Sequence, residues 1–566
     1  MALKFSEYPY QRPDIPTLQK EFFDLLDKIK AESSFSKAVE YINQLTKIRQ
    51  EFETLATIAS IRYTLDTQNS IYQAEQDFFD HQYPIYQGWV IEFYKVLLSH
   101  SLAEQLKAYY GKQIFSLAEC AIKTFDASII EQLQQENQLV SEYTKLIASA
   151  QIEFEGKTYN LTGLSPFMQD IDRDRRIHAH KAYLSFFEAH AEKLDELFDR
   201  LVSIRTEIAQ KLGFNNFVNL AYLRLSRVDY TEKEVALYRN YIQKHVVPIA
   251  VELQERKRKR LNIDKLYFYD EKLKFKSGNP TPKGNQDWIL EQGRTMYREL
   301  SQETNEFFTF MQEHELMDVV NRKGKASGGY CTYLSAYQSP YIFSNFNGTT
   351  HDVEVLTHEA GHAFQVYCSR NQILPEYYFP TYEACEIHSM GMEFITWNWM
   401  ELFFKEDTPK FKFDHISSAL IFLPYAAMVD EFQHIVYQNP SFTPKNRKEA
   451  WQELEKKYIP YRDYDGMPFA SEGGIWQAQS HIYANPFYYI DYALAQICAL
   501  QYWKWYQENP QAAWQSYLRL CRAGGSKSFL ELVALAELNS PFDENTIESV
   551  TRYAYNWLSG IDDSQF

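Results

Sequence analysis

The chain has 566 residues, 45% apolar and 23% charged, with only 20 Gly and 20 Pro against 42 Tyr and 39 Phe. These proportions exclude a disordered chain, and so few breakers favour long helices over many short strands. A formal charge of −17 excludes a surface built for nucleic acid, and six scattered cysteines with no CxxC pair exclude a disulfide framework.

The N-terminal MALKFSEYPYQRPD carries no apolar run, and no stretch approaches the roughly 18 apolar residues of a membrane span. Together these features predict a cytoplasmic protein with reduced thiols and neither a membrane nor a nucleic-acid partner. Oligomeric state is not encoded in any of them.

In chain order, the pattern is helical from about Leu18 to Ser149. Gln151–Leu164 then alternates around Glu155-Gly156-Lys157, which predicts a small hairpin. A first helical region over 1–164 and a second over 165–566 follow from that break. Helical spacing resumes over 165–210, 232–261 and 285–312, with Gly278–Gly284 as the clearest loop. The basic run ERKRKR (Glu255–Arg260) falls inside the second of these and reads as a solvated helix face. About 325–350 the residues change to Tyr, Thr, Phe and Ile, punctuated by Gly328-Gly329, Ser339-Pro340 and Asn347-Gly348. This predicts two or three short strands, with Tyr341–Thr349 as the edge. Helical signals return afterwards, interrupted near 463–474, where Gly473-Gly474 reads as an adjustable loop.

Directly after the β-patch comes THEAGHAFQVYCSR (Thr357–Arg370). On a helix, His358 and His362 lie about 40° and 6 Å apart, so both imidazoles can reach one ion. Glu359, one step round, can reach a water on that ion without binding it, the arrangement of hydrolytic zinc sites. Two histidines are not a complete site. In the long form of this motif a glycine turns the chain toward a third histidine, but here those positions hold Gln365 and Cys368. The helix should continue, carrying Cys368 about 9 Å along the axis and off the ligand face. Three acids in an apolar, aromatic segment downstream, Glu383, Glu386 and Glu393, are the remaining candidates, because burying them is costly without a partner or a metal.

HEAGHAF followed by EIHSMGMEF resembles the thimet oligopeptidase and oligoendopeptidase F family of metallopeptidases, and most of all its bacterial Pz-peptidase-like branch. DRDRRIHAHKAY (Asp172–Tyr183), KASGGYCTYL and HIYANPFYYIDYALAQ (His481–Gln496) extend the likeness over roughly 172–496. The resemblance implies a mainly α, multi-helical, two-lobed peptidase with a deep channel and a small β-sheet beside a gluzincin-type HExxH site. It implies one Zn²⁺ per chain on His358, His362 and Glu386, with Glu393 also matching the family pattern. Glu359 would be the general base, and His481, Tyr488 and Tyr492 would stabilise the oxyanion, with the register among Tyr488, Tyr489 and Tyr492 open. Short peptides would be the substrates. A zinc carboxypeptidase of related fold is the alternative, with an inactive peptide-binding homologue behind it. The carboxypeptidase should show a cation beside the site to grip the substrate C-terminus.

Overall fold

Side-chain caps set many of the helix starts in the computed structural model, which describes residues 3–566. The Asp172 carboxylate accepts from the amides of Asp174 and Arg175 and opens the longest helix, Arg173–Lys211. Ser301 forms a capping box with Thr304 and so splits the segment predicted over 285–312 into Gln286–Leu300 and Gln302–Glu313. Pro248 sits in the first turn of Val247–Leu261 and divides the 232–261 segment in the same way. The N-terminal region is helical as expected, in separate helices led by Ile15–Ala31, Phe35–Leu65 and Ser70–Ser99. No helix among the described residues is long and apolar enough to cross a membrane.

The N-terminal helices share one core, whose members include Phe22, Leu45, Phe52 and Trp89. A larger core joins the remaining helices and contains the buried faces of His351–Ser369, Tyr382–Ile395, Thr408–Gln438 and Tyr489–Glu508. Leu374 and Tyr377, from the segment between the first two of these helices, belong to the N-terminal core.

The hairpin forms as expected, β1 (Ile152–Phe154) against β2 (Lys157–Tyr159). The second sheet has three strands, β3 (Met317–Val320), β4 (Tyr330–Leu334) and β5 (Ser339–Phe346), in the order β3-β5-β4. β5 runs parallel to β3 and antiparallel to β4. This corrects the expected edge: Tyr341–Thr349 contributes most of the central strand, all eight β5 residues being buried. A central strand buried along its whole length leaves β3 and β4 as the edges, and the first three residues of β4 are half-buried. β3 lies just before the predicted patch and is too short for its alternation to be read.

Two other expectations change. ERKRKR is only partly a solvated face: Lys257 is buried with Nζ on the Glu271 carbonyl at 2.9 Å. Arg256 and Arg260 both hold Asp563, so the run anchors the C-terminal turn. Gly473-Gly474 is a packed turn, not an adjustable loop. A Cβ on Gly473 would stand 2.4 Å from the Lys448 carbonyl oxygen, and one on Gly474 2.7 Å from that of Phe469.

Gly361, inside HEAGH, decides how closely the helix His351–Ser369 meets Tyr382–Ile395. A Cβ there would lie 2.6 Å from the His388 carbonyl oxygen and 2.7 Å from the Ser389 Cα. Both obstacles are backbone, so the helices must separate to admit a methyl group. Gly361→Ala is expected to destabilise the protein by about 1–3 kcal/mol, read as a lower Tm, and to weaken metal retention. An unchanged Tm would contradict this close approach.

Candidate metal centre

The crossing fixed by Gly361 sets the buried Glu386 opposite both histidines. Glu386 Oε2 lies 3.1 Å from His358 Nε2 and 3.3 Å from His362 Nε2. Two ligand atoms bonded at 2.0–2.1 Å to a tetrahedral ion stand about 3.3 Å apart, so the spacing matches three corners of such a site. His358, His362 and Glu386 are also a group whose ligand atoms all fall within 4.8 Å of one another. The other two acids of the segment go elsewhere. Glu393 is behind His358, and Glu383 is buried near Arg227, its carboxylate pushed up to about 7 by burial and drawn back by that cation. The helix continues through Cys368 to Ser369, and Gln365 is buried with its amide on Ser369 Oγ and the Tyr378 carbonyl.

Hydrogen bonds behind the ligands orient them. Trp397 Nε1, which can only donate, lies 2.8 Å from His415 Nδ1. His415 therefore carries its proton on Nε2 and donates to Glu393 Oε2 at 2.8 Å. Glu393 Oε1 in turn accepts from His358 Nδ1 at 2.7 Å, which leaves the His358 Nε2 lone pair facing the vertex. Burial opposes charge on Glu393, but His358 and His415 outweigh it and hold the carboxyl down to about 2. Glu386 accepts from Ser389 Oγ at 2.7 Å and from the Tyr488 hydroxyl. Burial also works against its ionised form, yet His362 and His358 hold it well below the usual carboxylate range. A site with two imidazoles and one ionised carboxylate, each oriented from behind, suits a divalent cation of borderline softness.

A cavity of about 480 Å³ opens over these residues, and Glu359, His481, Tyr488 and Tyr492 line it. Glu359 Oε2 has no protein partner, and burial raises its carboxyl above the ordinary range. Tyr425 donates to Gln479 Oε1 at 3.1 Å, which turns the Gln479 amide nitrogen toward His481 Nδ1 at 2.9 Å. His481 Nε2–H is thereby directed at the Tyr492 hydroxyl oxygen, 3.2 Å away. Burial pushes His481 down to about 4, so the ring is neutral near pH 7. Tyr488 and Tyr492 line the metal cavity, whereas Tyr489, packed on Phe422 and Tyr425, is absent from it and lines with Tyr492 an adjoining cavity of about 400 Å³ that also reaches His358 and Glu359. The first residues of β4, Tyr330–Thr332, and Gly329 before them form the opposite wall. A further cavity of about 710 Å³ shares Tyr330, Cys331, Thr332, Tyr382 and Asn485 with the first and reaches the N-terminal helices.

Two residues here are invisible to motif reading. His415 sits in an apolar helix with nothing local to mark it. Arg227, fully buried, donates to the Phe487 carbonyl at 2.7 Å and to Asp491 at 2.6 Å. It holds the turn at Phe487, whose φ is +67°, immediately before Tyr488.

Comparison with known proteins decides the family. Residues 5–125 match the peptidase M3 N-terminal domain and 299–552 match peptidase family M3. A solved structure of Pz peptidase A with an inhibitor is 54% identical, with a TM-score of 0.98 over 99% of this chain and 100% of that one.

The chain belongs to peptidase family M3.

Other relatives in the family are more distant. An oligoendopeptidase F homolog of Borreliella burgdorferi is 26% identical, over 70% of this chain and 69% of its own length. Oligopeptidase PepF of Bacillus subtilis is 22% identical, over 92% and 81%. This M3 enzyme is a mainly helical metallopeptidase, and the His-His-Glu group is the part of it suited to a metal.

The relay behind His358 yields a graded expectation. Glu393→Gln should lower metal affinity roughly 10–100-fold in chelator competition, with the fold retained by circular dichroism. Trp397→Phe, which frees only the far end of the relay, should lower it less. Equal affinity in Glu393→Gln and wild type would remove the relay from ligand orientation.

Proposed function

We propose that the chain is a zinc-dependent oligoendopeptidase, hydrolysing internal peptide bonds of short peptides. The observation that carries this reading is the spacing of His358 Nε2, His362 Nε2 and Glu386 Oε2 around one vertex, with the unpartnered Glu359 carboxylate beside it. His358, His362 and Glu386 would hold one Zn²⁺. When bound, the ion supplies an acidified water and polarisation of the scissile carbonyl.

The chain's own residues do the rest. Glu359 takes a proton from the attacking water and delivers it to the leaving amine, and its burial brings its basicity closer to the working pH. Tyr488 and Tyr492 offer hydroxyls, and His481 orients the second of them, so charge developing on the carbonyl oxygen meets donors already in place. β4 pairs on one side only, and its free edge lines the cavity, so an extended peptide can add to it as a further strand. Gly329 leaves room for that approach: a Cβ on it would stand 3.1 Å from Glu359 Oε1.

Preference for internal bonds over C-terminal residues rests on charge. The residues lining the two cavities that meet at the metal group include no lysine or arginine. A carboxypeptidase would need a cation there to hold the terminal carboxylate. The metal cavity continues into one walled in part by the N-terminal helices, a recess that favours flexible peptides over folded proteins as substrates.

Internally quenched peptides of graded length provide the test. Cleavage is expected within the chain, is expected to stop with chelator and to return with Zn²⁺, and should persist when the peptide's C-terminus is amidated. Glu359→Gln should retain metal but lose hydrolysis by about 100-fold or more. Chelator-resistant cleavage, or full activity in Glu359→Gln, would refute the mechanism.

A further inference from the structure

Phe487 is held in a backbone conformation that a bulky residue rarely adopts. Its φ is +67°, in the left-handed region that favours glycine. Such a conformation costs free energy and persists only where the surroundings impose it. The ring is fully buried, with its centre 5.0 Å from that of His434 and 5.6 Å from that of Tyr437. Glycine would take up the turn freely but would forfeit this packing.

Two buried side chains impose the turn. The Phe487 amide donates to Gln433 Oε1 at 2.8 Å, and its carbonyl accepts from Arg227 Nη2 at 2.7 Å. The same Nη2 donates to Asp491 Oδ1 at 2.6 Å. Asp491 lies one turn beyond Tyr488, and its amide donates to the Tyr488 carbonyl at 2.9 Å. Tyr488 is thus bracketed: one arginine nitrogen holds the carbonyl just before it and the carboxylate one turn after it. Its hydroxyl reaches Glu386 and lines the metal cavity.

Arg227 is itself fixed. The guanidinium lies 4.3 Å from the centre of the Tyr222 ring and 5.5 Å from that of Tyr230, and both rings are buried. It also attracts the buried Glu383, one turn before Glu386 on the ligand helix. Arg227 therefore stands between the helix that brings the third ligand and the turn that brings the donor. A buried ion pair is seldom more stabilising than apolar side chains of the same volume. What an apolar residue could not do is hold the Phe487 carbonyl and Asp491 from one atom.

We propose that Arg227 is a positioning residue of the hydrolytic site, acting through the Phe487 turn to aim the Tyr488 hydroxyl at the oxyanion. The inference rests on the peptidase reading above. Arg227 touches no substrate in this account. Its effect passes through one hydroxyl, so removing that hydroxyl should erase it.

A double-mutant cycle provides the test. Wild type, Arg227→Met, Tyr488→Phe and the double variant are compared on one quenched peptide at saturating Zn²⁺, with circular dichroism and bound zinc measured for each. Arg227→Met should lower kcat at least about tenfold, with little change in KM. In the Tyr488→Phe background the same substitution should lower kcat by less than about twofold. Arg227→Lys keeps the buried charge but not the stacked planar fork, so its loss should be smaller and coupled in the same way. It carries the cycle if Arg227→Met does not fold. Equal losses in the two backgrounds would mark a general structural role and overturn the proposal, as would an unchanged kcat in Arg227→Met. Undiminished kcat in Tyr488→Phe would remove the donor and the proposal with it. Failure of wild type to cut any peptide would instead overturn the peptidase reading.

Discussion

Glu386 is 1% exposed and ionised, and much of the molecule is arranged around that fact. A buried carboxylate is tolerated only when donors or cations surround it. Here Ser389 comes from its own helix, His358 and His362 from the helix crossing it, and Tyr488 from the turn that begins a third. Three separate segments must arrive at one group, so their packing is set by the charge as much as by apolar contact.

The supports lie further out. Gly361 permits the helix crossing, because its missing side chain is where the His388 carbonyl sits. Arg227 fixes the turn before Tyr488 through the Phe487 carbonyl and Asp491. The segment between the two metal helices is embedded in the N-terminal core: the Tyr377 hydroxyl accepts from the Ile114 amide at 3.0 Å and donates to the Tyr110 carbonyl at 2.9 Å. Glu376, beside it, pairs with buried Arg49 at 2.8 Å. The N-terminal helices therefore do more than cover the channel. They hold the chain that joins the two histidines to Glu386.

Much of this was legible locally. The HExxH spacing, the continuing helix at Gln365 and the hairpin at Glu155-Gly156 depend on near neighbours in sequence, and periodicity or turn residues report such contacts well. Glu386 required more, because an acid in an apolar helix signals a partner without naming it, and the family resemblance supplied the pairing. His415 and Arg227 could not be found this way: each acts on residues 22 or more positions distant, and nothing beside it in sequence is unusual. The edge strand departs from the sequence expectation for a related reason. Tyr341–Phe346 has the richer strand composition, but that richness marks a centre buried on both faces, while the working edge is the plainer Tyr330–Leu334. ERKRKR likewise looked exposed because its partner, Asp563, is some 300 residues away.

Metal stoichiometry tests the central claim most directly, since the whole arrangement is argued from three ligands on one vertex. Zinc bound per chain can be measured by equilibrium dialysis for wild type, Glu386→Gln and Cys368→Ser. The account predicts one zinc in wild type and in Cys368→Ser, with affinity falling by orders of magnitude in Glu386→Gln. Undiminished binding in Glu386→Gln, or its loss in Cys368→Ser, would contradict the assignment of the third ligand.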